Sequence, residues 1–90
     1  MDKIMTQFET VKYLDLVPNL EDAQEFVGGY VETIRVPNGD TLLVNEDAGL
    51  MRTFSVNHEA TAYIHDKTDW GMLLLGNVML LPKSLNQKEW

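Results

Sequence analysis

Two histidines and the carboxylates beside them are the residues of this chain whose types suggest metal binding. His58 and His65 lie seven positions apart, with Glu59, Asp66 and Asp69 nearby. On a helix this spacing places both imidazoles on one face but about 10 Å apart, at a rise of about 1.5 Å per residue. A single ion needs ligands about one helical turn apart or closer. The spacing therefore favours solvated histidines, and we expect no metal and no other cofactor.

The patterns typical of catalysis and phosphate binding point away from an enzyme. Gly28-Gly29 follows a predicted helix and precedes a predicted strand, whereas a phosphate-binding loop follows a strand and opens a helix. Ser55 and Ser84 have no neighbouring base pattern, and the chain contains no Gly-x-Ser-x-Gly motif. The chain is therefore predicted not to be an enzyme.

Glu32 is the carboxylate whose position in the sequence is unusual. In a strand its side chain points to the same face as those of Tyr30, Ile34 and Val36. If that face of the strand packs on the core, Glu32 is buried there. A buried carboxylate requires hydrogen-bond partners. The favoured interpretation is a structural Glu32, bonded to backbone amides or to Asn57. The alternative is a polar cleft for a small ligand or a minor reaction, formed by Glu32, Asn45, Glu46 and Asn57.

The charge of the chain is strongly acidic, with fourteen Asp and Glu against seven Lys and Arg and a formal net charge of −7. A field of this sign disfavours approach to a phosphate backbone, so no direct binding of nucleic acid is expected. The acidic excess is concentrated between Tyr13 and Met51, where Arg35 is the one basic residue. Such a surface serves solubility. It also predicts a partner-binding face, formed by Glu21, Asp22, Glu25, Glu46 and Asp47.

Length and composition predict a single domain over residues 1–90, with flexible tails at 1–7 and 83–90. The chain has no cysteine, and its first residues lack the pattern of a signal peptide. Its longest apolar run, residues 72–81, is too short to span a bilayer. We therefore expect a cytoplasmic protein without a membrane partner, in the host cell if the chain is encoded by a phage.

A hairpin is the clearest structural signal in the sequence. Two runs rich in β-branched residues, 30–36 and 41–45, flank the residues Pro37-Asn38-Gly39-Asp40. Pro37 suits the first central position of a type I turn, and Gly39 then takes the positive φ that closes a three-residue loop with a bulge. A two-residue Asn38-Gly39 loop is the competing register.

Two helices are predicted from their first residues. Asn19 is a candidate N-cap for a helix over Leu20–Val27, and Gly28 or Gly29 supplies its left-handed C-terminal residue. Asn57 is a candidate N-cap for a shorter helix whose buried stripe contains Ala60, Tyr63 and Ile64.

Three further strands complete the predicted sheet. They are residues 8–17, a short strand over 50–54, and residues 70–81. The last of these is predicted as one strand bent at Gly76 with its core in 77–81, with a hairpin at 76–77 as the alternative. Residues 66–69 are predicted as a loop. The whole reads as an α+β domain: a mostly antiparallel sheet with one main helix on a face and a second short helix.

Several of these stretches together resemble a known family. Residues 20–32, 36–39 and 43–47, followed by Asn57 and Ala60, are similar to a small family classified as a domain of unknown function and encoded largely by bacteriophages, plasmids and other mobile elements. The resemblance covers residues 9–81, with Ala48-Gly49 replacing a simpler acidic-Gly turn. It implies a mobile-element origin and an α+β fold, and it brings no activity. The matching positions are Gly28, Gly29, Glu32, Pro37, Gly39, Asn45, Glu46 and Asn57.

The leading hypothesis is a non-enzymatic phage or mobile-element accessory protein that binds and modulates a host protein through its acidic surface. The expected partner is a nuclease, polymerase or defence factor with a basic nucleic-acid-binding groove. The alternatives are the small-ligand cleft and a homo-oligomeric structural protein assembled through an unpaired sheet edge, with the last strand as the candidate edge.

Overall fold

A computed structural model describes residues 10–48, 54–85 and 90 of the chain. These residues form two helices and four strands, which confirms the predicted α+β class. In chain order the elements are β1 (Val11–Tyr13), α1 (Leu20–Val27), β2 (Val31–Arg35), β3 (Thr41–Asn45), α2 (His58–Lys67) and β4 (Val78–Leu81). No helix in these ranges is long and apolar enough to cross a membrane.

The four strands form one sheet in the order β1-β4-β3-β2. The pairs β2–β3 and β3–β4 are antiparallel, so the sheet is mostly antiparallel as predicted, but β1 pairs with β4 in parallel. Because β4 lies between β1 and β3, the prediction that the last strand forms the unpaired edge is wrong. The edges of the described sheet are β1 and β2.

The two helices cover opposite faces of the sheet. Side chains alternate along each strand, so neighbours in sequence point to opposite faces. Leu43 and Met79 point to one face, where they pack with Ala23 of α1. The other face carries a larger cluster to which α2 contributes Ala60 and Ile64. Its remaining buried members are Val36, Leu42, Val44, Leu74, Val78 and Leu80.

Local signals placed α1 and the hairpin correctly. The Asn19 side chain accepts a hydrogen bond from the Asp22 amide at 2.7 Å, and Gly28 adopts φ +85° at the C-cap of α1. In the turn, the Gly39 amide donates to the Val36 carbonyl at 2.8 Å and Gly39 has φ +102°. These contacts confirm the predicted three-residue loop with a bulge over the two-residue register.

The first strand is shorter than the predicted 8–17, of which residues 8 and 9 lie outside the described ranges. The pairing of β1 with β4 ends where the Leu14 amide donates to the Leu80 carbonyl at 3.0 Å. Beyond this point β4 stops at Leu81 and Pro82 follows, so no strand of the described ranges pairs with residues 15–17.

The second half of the chain differs from the predictions in two places. Asp66 and Lys67 belong to α2 and not to a loop, because the helix continues until the Thr68 amide and hydroxyl both donate to the Ile64 carbonyl. The bend at Gly76 is confirmed by its φ of +77°, but the strand beyond it covers only Val78–Leu81. Residues 70–74 form no strand, and Leu75 makes a single bridge to Val56.

Three remaining predictions fall partly outside the described ranges. Of the short strand over 50–54, only Phe54 is described, and it is not in a strand. Of the two predicted tails, residues 1–7 and 86–89 lie outside the description. Trp90 is half-buried against the cluster of Leu43 and Met79, and its indole nitrogen donates to the Pro18 carbonyl at 3.3 Å.

Candidate functional site

An open groove of about 680 Å³ lies between α1 and the segment 14–19. It exists because β1 ends early: after Tyr13 the chain leaves the sheet and crosses to Asn19 without regular structure. The floor of the groove is apolar and half-buried or buried. It is formed by Leu14, Phe26 and Met79.

Carboxylates line the rim of this groove. Asp15 approaches from the crossing segment, while Asp22 and Glu25 project from α1, and all three are exposed. Among the described residues that line the groove, Lys12 is the one cation, and its ammonium lies 5.8 Å from the centre of the Phe26 ring. An ammonium over an aromatic face at this distance makes a cation–π contact. The balance of these described residues, one cation against three carboxylates, makes the rim negative.

An exposed leucine lines the same groove. Leu16 is 75% exposed. An exposed leucine beside a concave apolar floor extends the apolar area that a partner can cover. We call the groove, its acidic rim and this leucine the acidic groove.

The five predicted partner-binding residues divide into two groups. Glu21, Asp22 and Glu25 are exposed on α1, and two of them line the acidic groove. The turn with Glu46 and Asp47 lies at the other end of α1, where the Asn45 side-chain nitrogen donates to the Val27 carbonyl at 3.1 Å. The eight residues of α1 rise about 12 Å. The structure thus places Asp22 and Glu25 of the first group at the groove and leaves the second group at a distance.

Asn57 is fully buried, with 0% of its surface exposed. Its side-chain oxygen caps α2 by accepting from the Ala60 amide at 2.9 Å. Its side-chain nitrogen donates to the Thr10 carbonyl at 3.0 Å and to the Gly76 carbonyl at 2.7 Å. Both donors are therefore used in holding β1, α2 and the Gly76 bend together.

Of the four residues of the predicted polar cleft, Glu32, Asn45 and Glu46 line one cavity of about 160 Å³, whereas Asn57 does not line it. Glu32 is exposed rather than buried, because β2 is an edge strand, although Ile34 and Val36 of the same parity are half-buried and buried. The Asn45 side chain points to the opposite face, where its oxygen accepts from the Asp47 amide at 2.7 Å. Asn57 is enclosed beneath α2.

The histidines stand apart from each other and from the groove. The His65 ring nitrogen Nε2 lies 2.9 Å from the Met72 carbonyl oxygen. Within residues 10–48, 54–85 and 90, no group of three or more His, Asp or Glu side chains is arranged to hold a metal ion.

A polar cluster that the sequence did not reveal ties the hairpin to α2. The Tyr63 hydroxyl donates to Asp40 at 2.5 Å, and the Lys83 amide donates to the other Asp40 oxygen at 3.0 Å. Burial opposes ionisation of Asp40, but hydrogen bonds from Tyr63, Lys83 and Asn38 outweigh it and hold the pKa of Asp40 below its usual value. Burial and the bond to Asp40 raise the pKa of Tyr63.

A second tyrosine makes a similar contact on the same face. The Tyr13 hydroxyl donates to Glu59 of α2 at 2.5 Å, and this bond, together with burial, raises the pKa of Tyr13. The partners in these two pairs are 23 and 46 positions apart. No local spacing signal connects residues at such separations, so only the fold could identify them.

A scan against known protein families found no match, and searches of curated proteins and of solved structures found none either. The fold and the site define a small α+β domain with an acidic, apolar-floored groove.

Proposed function

We propose that this chain is a non-enzymatic accessory protein, of bacteriophage or mobile-element origin, that binds and modulates a host protein through the acidic groove. The observation that carries the proposal is an apolar floor edged by exposed carboxylates, Asp15, Asp22 and Glu25. A complementary partner presents Lys or Arg around an apolar anchor. A host nuclease, polymerase or defence factor with a basic groove meets this description.

The apolar part of the site supplies affinity and the charged part supplies attraction and orientation. Anchors buried at the centre of an interface carry most of the binding energy, and rim charges mainly change the association rate and its salt dependence. In this site Leu16 and the Phe26 ring lie among the carboxylates. The arrangement favours one apolar anchor in the groove with basic side chains around it.

Glu46 and Asp47 have a weaker role in the same proposal. They lie about one length of α1 from the first-turn carboxylates, roughly 12 Å at the rise of an α-helix. The Debye length at physiological ionic strength is about 8 Å. At physiological salt the attraction between these two residues and a partner bound in the groove is therefore largely screened, and their contribution is confined to low ionic strength.

The proposed origin in a bacteriophage or mobile element rests on the resemblance of residues 20–32, 36–39 and 43–47. Gly28 and Gly39, two of the matching positions, adopt the positive φ that favours glycine there. The partner is accordingly sought in a bacterial host.

The test is capture from a bacterial lysate with two matched variants. Asp22→Asn/Glu25→Gln neutralises two rim carboxylates, and Asp66→Asn/Asp69→Asn neutralises two exposed carboxylates away from the groove. Each variant changes the net charge from −7 to −5. Exposed ion pairs are each worth about 0.2–1 kcal/mol, so the rim variant is expected to bind about two- to thirtyfold more weakly.

The proposal is supported if the wild type and the Asp66/Asp69 control both capture one stoichiometric partner and moderate salt releases it. The rim variant should capture less of the same partner. An equal loss of partner capture in both variants would mean that only the net charge matters, and it would contradict specific binding at the acidic groove. Equal capture by all three proteins would place the binding surface elsewhere.

A further inference from the structure

The outer edge of β2 has no strand beside it in the described part of the chain. The Tyr30 carbonyl accepts from the Glu46 backbone amide at 2.8 Å, and the Val36 amide donates to the Asp40 backbone carbonyl at 2.9 Å. The even-numbered residues of this stretch therefore direct their main-chain groups toward β3. In an antiparallel pair this direction alternates along the strand. The N–H and C=O groups of Val31, Thr33 and Arg35 therefore point outward from the sheet.

A cavity of about 160 Å³ lies beside this edge, on the face that carries Ile34 and Val44. Its apolar wall is completed by the segment 72–75, of which Leu73 is 61% exposed. A cavity of about 150 Å³ holds a benzene molecule, so this one has room for a single aromatic or branched side chain. Glu32 and Glu46 stand in its polar wall, and both are exposed.

The edge of β2 lacks several devices that commonly prevent edge pairing. Such devices include charged side chains, above all lysines, and also prolines, bulges and very short strands. β2 has two exposed charged residues, Glu32 and Arg35, but it contains no Lys or Pro and pairs with β3 in continuous register from Val31 to Arg35. The other edge strand, β1, has only three residues. The β2 edge is therefore the longer and more regular template for an added strand.

We propose that an extended, basic segment of a partner protein binds the outer edge of β2 as a fifth strand. Its main chain bonds to the outward groups of Val31, Thr33 and Arg35. On the face with the cavity, a Lys or Arg lies opposite Glu32, and an apolar side chain two positions away lies opposite Ile34 and enters the cavity. Main-chain bonds supply affinity in this mode, and alternate side chains supply specificity.

Charge decides between a partner segment and a second copy of this chain. Each copy carries a net charge of −7, and Glu32 and Glu46 flank the edge itself. Pairing two such edges brings like charges together, whereas a basic segment is attracted. This inference does not depend on the acidic groove, which lies on the opposite face of the sheet, and it survives if groove binding fails.

The probe for the test is the synthetic peptide Thr-Lys-Thr-Phe-Thr-Lys-Thr, which presents Lys and Phe on one face of a strand. A peptide of equal composition, Thr-Lys-Phe-Thr-Thr-Lys-Thr, moves Phe to the other face. Binding to the full chain is followed by amide chemical shifts in a nitrogen-15 correlation spectrum. We expect saturable shifts at residues 31–35 and 72–75 with the first peptide, and at least about fivefold weaker binding of the second.

Thr33→Pro removes one outward N–H without removing a bond to β3, and proline is tolerated on edge strands. Thr33→Ala keeps that N–H and is the matched control. We expect about tenfold weaker binding for the proline variant, as for the loss of one hydrogen bond. The alanine variant is expected to bind as the wild type does. Glu32→Gln is expected to weaken binding about two- to fivefold and to reduce its salt dependence.

Three results would overturn the proposal. The first is no saturable shift at residues 31–35 with the probe peptide. The second is unchanged peptide binding by the Thr33→Pro variant, provided that the dispersed amide spectrum of this variant shows that it is folded. The third is self-association of the wild type, seen by sedimentation, that Thr33→Pro abolishes, because a second copy would then be the occupant.

Discussion

The two faces of the sheet are built differently although each is covered by one helix. Beneath α1 the fully buried cluster consists of Ala23, Leu43 and Met79, and an open groove runs along the helix. Beneath α2 the buried cluster has eight members, and side-chain hydrogen bonds connect the helix to the strands and turns around it. The comparison indicates that the α2 face contributes more of the buried contacts that maintain the fold, while the α1 face carries an open groove.

The two N-cap asparagines illustrate this difference at the scale of one residue. Asn19 and Asn57 each accept from an amide three positions ahead. Asn19 is exposed, and its side-chain contact stays within the first turn of α1. Asn57 is buried and also holds the carbonyls of Thr10 and Gly76. The same residue in the same helical position thus has a local role on one face and a global role on the other.

The largest effect is expected for Asn57→Ala. This change removes the cap of α2, worth about 1 kcal/mol, and leaves the buried Gly76 carbonyl without its donor, at about 1–3 kcal/mol. We expect the free energy of unfolding to fall by about 2–4 kcal/mol. Chemical denaturation monitored by circular dichroism measures it.

Asn57→Ser separates the two roles of this residue without burying a charge. Serine supplies an uncharged oxygen that caps helices well but lacks the nitrogen that donates to Thr10 and Gly76. A loss of stability near that of Asn57→Ala would show that the long-range donor dominates. A variant as stable as the wild type would mean that this donor contributes little to the fold.

Tyr63→Phe tests the polar contact between α2 and the hairpin. It removes the hydroxyl that donates to Asp40 and is expected to cost about 1–2 kcal/mol at neutral pH. Because the pKa of Asp40 is lowered in the folded state, its contribution is present above the unfolded pKa of about 3.9. That contribution is lost as the pH falls through the lower, folded pKa.

The stability difference between the wild type and Tyr63→Phe should therefore shrink on acidification. Thermal unfolding at a series of pH values from neutral to strongly acidic measures this difference. If the stability difference between the two proteins stays constant across the series, the Tyr63 hydroxyl does not stabilise the fold through ionised Asp40.

Asn19→Ala is expected to have a smaller effect than Asn57→Ala. It removes one exposed N-cap contact of 2.7 Å on α1, and such losses cost about 1 kcal/mol. The same denaturation experiment gives the value. Equal effects of the two alanine substitutions would break the comparison of the two faces.

The smallest effect on stability is expected for Leu16→Ser in the acidic groove. Leu16 is 75% exposed, and substitutions at such positions usually change stability by no more than about 0.5 kcal/mol. Partner capture in the lysate experiment should nevertheless decrease, because the substitution removes apolar area at the groove. Unchanged capture would exclude Leu16 from the interface.

The sequence predicted the elements whose signals are local. Asn19 and Asn57 begin the two helices, Gly28 ends the first, and Gly39 closes the hairpin, each because one residue type satisfies one backbone conformation or one unpaired amide. These signals act within four residues, so they can be recognised in the sequence without knowledge of the fold.

The features that the sequence did not reveal depend on distant contacts. The early end of β1 depends on where β4 stops, and the acidic groove exists because of that early end. The exposure of Glu32 depends on β2 being an edge strand, which the alternation of its side chains does not encode. The sequence predicts a partner-binding face that includes the carboxylates of α1. The apolar floor beside them comes from different elements of the chain, so only the fold identifies it.

The parallel pairing of β1 with β4 has a consequence for synthesis of the chain. Val11 pairs with Val78, which is translated 67 residues later. At about 5–20 residues per second, a ribosome takes about 3–13 s to make the intervening segment. During that interval the strand that holds β1 has not yet been made, while the residues of the β2–β3 hairpin are already complete. The sheet is therefore completed from its β2 edge toward its β1 edge, and β1 is added only after β4 is available.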